Sequence, residues 1–422
     1  MDTGAFLANR TSISNRRHFL RAAGAAAVTA PALLRGASTR SWTEIERILA
    51  SGNVKGRVAR DEAPTPALML DLDLFEANVK KMVAHARASN RALRPHGKTH
   101  KCPEIARYLV KQGAAGACAA KLSEAEVFAA HGVRGLLVTT AAVGKYKIER
   151  AVRLAGVAPD TIFSVDNARN AQELNDAAAA AKRKLWVALD LCVSGRTGVM
   201  PGVPAVALAE QIARLPHLQL KGIQAYAGSA AHVKGWQKRR DTSLALMTPA
   251  IETRAELNKR GIQTPWLSGG STGTYNIDSN IDGITELQPG SFMFMDTDYN
   301  VIGGKDTGES YTDFGNALTI LATVVSRPAD EHVIIDSGFK AMATDRSFLP
   351  VPKDPELKFS FGGDEHGKLV STGGALRLQV GDRVEIIAPH CDPTVNLYDR
   401  LYCTRGNAVE AVWSIAARGM SQ

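Results

Sequence analysis

This chain lacks the means for a disulfide framework. Its 422 residues hold five cysteines, Cys102, Cys118, Cys192, Cys391 and Cys403, an odd number with no close pairs. That excludes a small stapled fold and leaves the thiols as buried small hydrophobes. The apolar stretch 22–34 is short and alanine-rich, which argues against stable membrane insertion. Aromatic residues make up only 6%, and no Lys/Arg run is interleaved with them, so nothing points to nucleic acid. The net charge of +9 is inflated by residues 1–30, where Arg10, Arg16, Arg17 and Arg21 against Asp2 supply +3 and leave +6 for the remainder. An anionic cofactor or substrate suffices to explain that balance. The composition, 45% hydrophobic and 22% charged, is otherwise that of a globular protein with length for about two domains.

The N-terminal segment has its own signature. Asn15-Arg16-Arg17-His18-Phe19-Leu20-Arg21 precedes the alanine-rich stretch, and paired arginines followed by Phe-Leu resemble a twin-arginine export signal. Cleavage is expected near Val28-Thr29-Ala30 or Ala37. This predicts a periplasmic protein exported in its folded state, with a cytoplasmic one as the alternative.

After a linker and a short helix around 41–50, short apolar runs alternate with helical patterns every 20 to 35 residues or so. The expected strands are 67–70, 93–95, 116–119, 135–139, 162–165, 185–191, 218–226 and 265–268. Helical patterns such as 72–88, 123–131, 168–182 and 244–260 separate them. Eight such units predict an α/β fold with a closed (β/α)8, TIM-like barrel rather than an open sheet. After about Met295 the pattern changes to short β-type runs at 318–325, 333–336, 375–378 and 382–388. The expected organisation is therefore residues 1–40 as signal and linker, 41–310 as barrel and 311–422 as a C-terminal β-domain.

Chemistry-bearing residues cluster just past the expected strands, where barrels carry function. Arg94-Pro95-His96-Gly97-Lys98-Thr99-His100-Lys101 places a lysine among cations that would depress its pKa and make it a nucleophile. Taken alone the run also fits a solvated basic turn. Ser268-Gly269-Gly270-Ser271-Thr272-Gly273 follows the eighth expected strand, and its small residues and hydroxyls suit an anion. A lysine together with a phosphate cradle is what pyridoxal 5'-phosphate requires. Arg196, in Ser194-Gly195-Arg196-Thr197-Gly198, would lie against a pyridine nitrogen, or else pair with an acid at the surface. Tyr226 would face the cofactor, and His232, a few residues on, is a candidate base or a structural loop histidine. His390 and Asp392, at i and i+2 on an expected extended segment, would point to one side and hold a divalent metal. Zn²⁺, Mn²⁺ and Co²⁺ all suit such N/O ligation.

These five ordered segments, from about Pro64 onward, resemble the fold-type III pyridoxal-phosphate enzymes of the D-threonine aldolase and D-serine dehydratase family. The resemblance implies an alanine racemase-like N-terminal barrel with a C-terminal β-domain, and a homodimer. It also implies Lys98 as the Schiff-base lysine, Arg196 at the pyridine nitrogen, and His390 and Asp392 as metal ligands. Dehydratases of this kind typically carry His-x-Cys at the metal, whereas this chain carries His-x-Asp, so the resemblance favours the aldolases. Ala227 and Ala231 depart from the aldolase pattern, which bears on the substrate more than on the reaction. The expected activity is cleavage of Cα–Cβ in a D-3-hydroxy amino acid, giving glycine and an aldehyde, with His232 removing the hydroxyl proton. Dehydration of D-serine or 3-hydroxy-D-aspartate to a keto acid and ammonia is the alternative. A racemase and a non-catalytic cofactor carrier on the same fold are the remaining rivals.

Overall fold

The computed structural model describes residues 40–422. The paired arginines and the alanine-rich stretch lie outside the described residues. No described helix is long and apolar enough to cross a membrane.

Eight parallel strands curl around one axis: Ala92–Leu93, Cys118–Ala119, Leu137–Val138, Ile162–Val165, Leu185–Asp190, Leu218–Gln224, Trp266–Gly269 and Glu286–Leu287. The last pairs with the first through Ala92 and Glu286. A parallel bridge between His96 and Cys118 joins the first to the second, so the ring closes as expected for a (β/α)8 barrel. Interior residues such as Val187, Ala188 and Leu189 are fully buried, which is why these strands are continuous apolar runs rather than alternating ones.

The helices form for local reasons as well. In Leu72–Ala88 the Asp71 carboxylate caps the first turn by accepting from the N–H groups of Asp73 and Leu74. Leu72, Phe75, Val79, Met82 and Ala86 recur at helical spacing and are the buried face.

Two strand assignments differ from expectation. Ala67–Asp71 is not the first barrel strand; it pairs antiparallel with Leu318–Ala329 and parallel with Arg400–Arg405, inside the second sheet. A short apolar run fits any strand buried on both faces, and its composition does not say which sheet receives it. The eighth barrel strand is instead Glu286–Leu287, where Thr285, Glu286 and Gln288 leave no apolar run to announce it. The strand before the Ser/Gly-rich loop is accordingly the seventh.

The second sheet is mainly antiparallel. Its strands include Leu318–Ala329, His332–Ile335, Leu357–Phe361, Gly367–Ser371, Arg383–Ile387, Arg400–Arg405 and Ala408–Ser414. Residues 375–378, expected as a strand, are irregular, because Gly373 and Gly374 turn the chain out of the ladder. One hydrophobic cluster continues from barrel residues such as Phe163 and Leu189 to sheet residues such as Ile320 and Ile386. All five cysteines are free, and all but Cys192 are buried.

Candidate active site

Lys98 sits in the turn that leaves the first barrel strand. The Gly97 N–H donates to the Cys118 carbonyl at 2.7 Å. A Cβ on Gly97 would lie 2.4 Å from the Phe128 ring, so only glycine lets this turn press against the neighbouring helix. The Lys98 ammonium emerges into a pocket at the C-terminal mouth of the barrel and forms an ion pair with Asp392. Burial works against its charge, but the Asp392 carboxylate outweighs burial and holds the amine above the ordinary lysine range.

That is the reverse of the expected depression by neighbouring cations, and the structure gives the reason. Arg94 is buried against Glu286 at 2.9 Å, and Lys101 pairs with Glu124. Burial drives His96 and His100 down to about 3, so both imidazoles are neutral, with the Lys98 charge adding to the effect at His96. Each supposed cation is either neutralised or uncharged.

The pocket wall opposite Lys98 is built by the fifth and sixth strands. Arg196 lies 5.9 Å from the centre of the Tyr226 ring. Ser194 Oγ donates to the Tyr226 carbonyl at 3.0 Å, tying the two loops together. Below them Asp190 accepts from Gln224 Nε2 at 2.9 Å and from Thr197 Oγ1 at 3.0 Å. Burial pushes the Asp190 carboxyl up to about 6, against the pull of those two hydrogen bonds.

The Ser/Gly-rich loop uses its groups differently from the expectation. The Ser268 hydroxyl donates to Glu286 at 2.6 Å and accepts from Gln288, so it belongs to the barrel interior. Ser271 Oγ meets Thr274 Oγ1 at 3.0 Å, and Thr272 Oγ1 accepts from the Phe292 N–H at 2.9 Å. The hydroxyls are therefore engaged within the protein. The backbone N–H groups of Gly270, Thr272 and Gly273, by contrast, have no acceptor among the described residues. A Cβ on Gly273 would stand 2.0 Å from the Ala231 carbonyl, which fixes glycine at that close approach.

A second arm comes from the far end of the chain. His390 is extended but directly precedes the short helix Cys391–Val395, which holds Asp392, so the two are not on one extended segment as expected. His390 Nδ1 lies 2.8 Å from Asp345, while Asp392 turns to Lys98. His232 Nδ1 is 3.1 Å from Asp298, and its ring packs 4.4 Å from that of Tyr299. Arg346 Nε links the two halves, 3.2 Å from Asp298 and 3.6 Å from Asp345. Burial opposes ionisation of Asp298, but His232 and Arg346 overcome it and keep the carboxyl below its ordinary range. Beneath this arm the buried Asp296 accepts from the N–H groups of Cys391 and Tyr299, at 2.9 and 3.0 Å, and so fixes both segments.

Asp298, Tyr299, Asp345, Arg346 and Asp296 were not among the residues expected from sequence. The one local signal was Asp296, an acidic residue directly before the short helix Thr297–Asn300, which it caps.

The family model described as "Alanine racemase, N-terminal domain" matches residues 70–298. The chain belongs to the alanine racemase-like family. A second model, "Putative serine dehydratase domain", matches 317–404. Among curated members, D-threonine aldolase of an Arthrobacter species is 37% identical over 85% of this chain and 93% of its own length. The 3-hydroxy-D-aspartate aldolase of Paracoccus denitrificans (strain Pd 1222) is 36% identical, over 85% and 93%. Both are lyases. Among solved structures, D-threonine aldolase from Filomicrobium marinum superposes with a TM-score of 0.82 at 35% identity, covering 86% of this chain and 98% of its own.

Members of this alanine racemase-like family are expected to carry pyridoxal 5'-phosphate, and the residues present fit it. An amine reaches the pocket, three backbone N–H groups lack acceptors at the loop after the seventh strand, and an aromatic–guanidinium pair lines the wall. The donor set for a divalent metal is thinner. Among the described residues no group of three His, Cys, Asp or Glu side chains is gathered for one ion. The imidazole of His390 and the largely enclosed carboxylate of Asp392 are nonetheless donors of the right chemistry. If the Lys98 side chain turns away, Asp392 is left without its cation, which a metal would restore.

Proposed function

We propose that this protein is a metal-assisted, pyridoxal phosphate-dependent aldolase that cleaves Cα–Cβ of a D-3-hydroxy amino acid, releasing glycine and an aldehyde. Bound pyridoxal phosphate supplies the electron sink that accepts the charge left at Cα. Lys98 anchors it covalently, Arg196 and Tyr226 flank its ring, and the N–H groups of Gly270, Thr272 and Gly273 receive its phosphate. Arg196, permanently cationic, keeps a facing pyridine nitrogen from being protonated. His390 and Asp392 would hold Mn²⁺, Zn²⁺ or Co²⁺, whose charge lowers the pKa of a substrate hydroxyl.

One observation carries the choice of reaction: His232 Nδ1 stands 3.1 Å from the ionised Asp298, at ion-pair distance though off the line of a hydrogen bond. A carboxylate on one ring nitrogen keeps the proton there and leaves Nε2 as the acceptor. Aldol cleavage needs that acceptor to take the hydroxyl proton, whereas elimination needs a donor to help hydroxide leave. The match of the C-terminal segment to a serine dehydratase model keeps dehydration as the second reading.

The test is product identity. Metal-supplemented enzyme is incubated with D-threonine, D-serine and D-3-hydroxyaspartate; glycine plus an aldehyde is the expected outcome. A keto acid with ammonia transfers the assignment to the dehydratases. We further propose that the enzyme acts as a homodimer, testable by light scattering, and is exported through its paired arginines. Export is tested by fractionating cells that carry Arg16→Lys and Arg17→Lys together, which should retain the protein in the cytoplasm.

A further inference from the structure

Arg239 is fully buried in the long helix Trp236–Lys259, and no carboxylate lies within ion-pair distance of it among the described residues. Its guanidinium is instead spent on four backbone carbonyls. Nε donates to Gly273 at 2.7 Å, one terminal nitrogen to Val233 at 2.9 Å and Ile302 at 2.8 Å, and the other to Gly303 at 2.6 Å. Those carbonyls belong to three separate segments: the glycine-rich loop, the chain just past His232 and the chain just past Tyr299. Beside it, the buried Tyr311 hydroxyl donates to the Thr272 carbonyl at 2.6 Å, with its ring 5.8 Å from the guanidinium.

The peptide plane turns these contacts into a statement about the opposite face of the loop. In a trans peptide the carbonyl of one residue and the N–H of the next point in opposite directions. Holding the Thr272 carbonyl on Tyr311 therefore aims the Gly273 N–H away from Tyr311, and holding the Gly273 carbonyl on Arg239 fixes the far end of the same turn. A buried guanidinium hydrogen-bonded only to carbonyls, with Asp313 the carboxylate that acts on it from beyond ion-pair distance, places positive charge behind the loop in surroundings that screen it poorly. Neither feature is needed to close a barrel, and both favour an anion on the open face.

We propose that Arg239 and Tyr311 are positioning residues for the anion cradle. They pin two loop carbonyls outward so that the Gly273 N–H is held towards a phosphate, and Arg239 adds positive charge from behind. The inference rests on the reading that the 268–273 loop receives the cofactor phosphate. It goes beyond that reading in naming what sets the loop's conformation and field.

The experiment compares two aldehydes that differ only in the phosphate. Cofactor-free full-length protein is titrated with pyridoxal 5'-phosphate and with pyridoxal, followed by visible absorbance, for wild type, Arg239→Lys, Arg239→Met and Tyr311→Phe. Wild type should prefer the phosphorylated aldehyde by at least about 100-fold. Tyr311→Phe should shrink that preference by about 3- to 10-fold and Arg239→Lys by about tenfold, in keeping with one or two misplaced charge-assisted hydrogen bonds. Binding of pyridoxal itself should move by less than about twofold, since nothing touching the ring or Lys98 has changed. Arg239→Met strips the Gly273, Val233 and Gly303 carbonyls of their partner; if it does not fold, the single-atom change in Tyr311→Phe carries the test. Folded variants that keep the whole wild-type preference overturn the proposal and leave the cradle reading standing. Equal weakening towards both aldehydes overturns it too, as general damage. Wild type that binds the two alike removes the cradle, and the proposal with it.

Discussion

Lys98 and Asp392 form an ion pair across 294 positions of sequence, joining the mouth of the barrel to the short helix that follows the strand Arg383–Ile387. Asp392 is held below the carboxylate range, with burial opposing and the Lys98 charge prevailing, and Lys98 is held above the lysine range by the same partner. The proposed nucleophile is thus stored as a protonated amine whose charge is matched by the residue proposed to take a metal.

That pairing fixes a pH signature for the cofactor-free protein. A depressed carboxyl pKa gives stability that is present above the ordinary value near 4 and lost as pH falls through the folded value; a raised amine pKa gives stability present below about 10 and lost as pH rises through the folded value. The pair is therefore at full strength between roughly pH 5 and 10. Asp392→Asn should cost about 1–3 kcal/mol at pH 7, less than a fully enclosed pair because Lys98 faces the pocket. Thermal melting from pH 7 down to pH 2 checks this: the gap to wild type should narrow in acid, and coincident curves at pH 7 would refute it.

Lys98→Ala should leave a folded protein that shows no visible cofactor band and takes up no label on borohydride reduction. Peptide mapping of reduced wild type should place the cofactor on residue 98. A persisting band in the variant assigns the anchor to another amine.

Much of this was legible in the chain, and what was not has a physical reason. The Lys98 motif, Arg196, Tyr226 and the glycine-rich loop stand just past barrel strands, most of which announce themselves by short apolar runs. Glu286–Leu287 lies among the polar Thr285, Glu286 and Gln288, and it shows as a strand only through its pairing with Ala92–Leu93 and Trp266–Gly269. Ala67–Asp71 looks like any buried strand, and its place in the second sheet depends on partners some 250 to 330 positions away. Sequence separation likewise hid the links that join His232 to Asp298, Arg346 and Asp345, and Asp345 to His390. They come from separate segments, and only the tertiary fold makes them neighbours. The charge state of Lys98 was misjudged because local sequence lists the cations around it but not the acids, Glu286, Glu124 and Asp392, that answer them.

Removing the metal should separate cleavage from cofactor binding. A chelator is expected to abolish most turnover while the visible band stays, and added Mn²⁺, Co²⁺ or Zn²⁺ should restore it. His390→Ala should require far more metal for half-maximal activity. Undiminished turnover in chelator removes the ion from the scheme.

His232→Asn should lower kcat by about 10²–10⁴, the range for loss of a general base, with the cofactor spectrum unchanged. Asp298→Asn keeps the imidazole but removes the charge that orients it, so kcat should fall in the same direction while KM moves little. Because Asp298 also pairs with Arg346, Arg346→Met serves as the control. A larger loss there than in Asp298→Asn would assign the effect to Arg346 rather than to His232.

Asp190 gives the opposite pH signature from Asp392. Its carboxyl is raised to about 6 by burial, so the folded state prefers it protonated. The cost of ionising it accumulates as pH rises from about 4 to 6 and is then constant, amounting to about 2–3 kcal/mol at neutral pH. Asp190→Asn removes that cost, keeps an oxygen for Thr197 Oγ1, and has Gln224 turn its amide over, so that Oε1, a buried atom with no partner among the described residues, takes the new N–H in place of the bond from Nε2. The variant should therefore melt higher than wild type at pH 8 and lose that advantage at pH 4. Activity should move the other way: Thr197 hangs from Asp190 in the loop that presents Arg196, so a neutral amide there loosens Arg196 against Tyr226. A variant less stable than wild type at pH 8 would mean that the Asp190 charge is compensated in the folded protein.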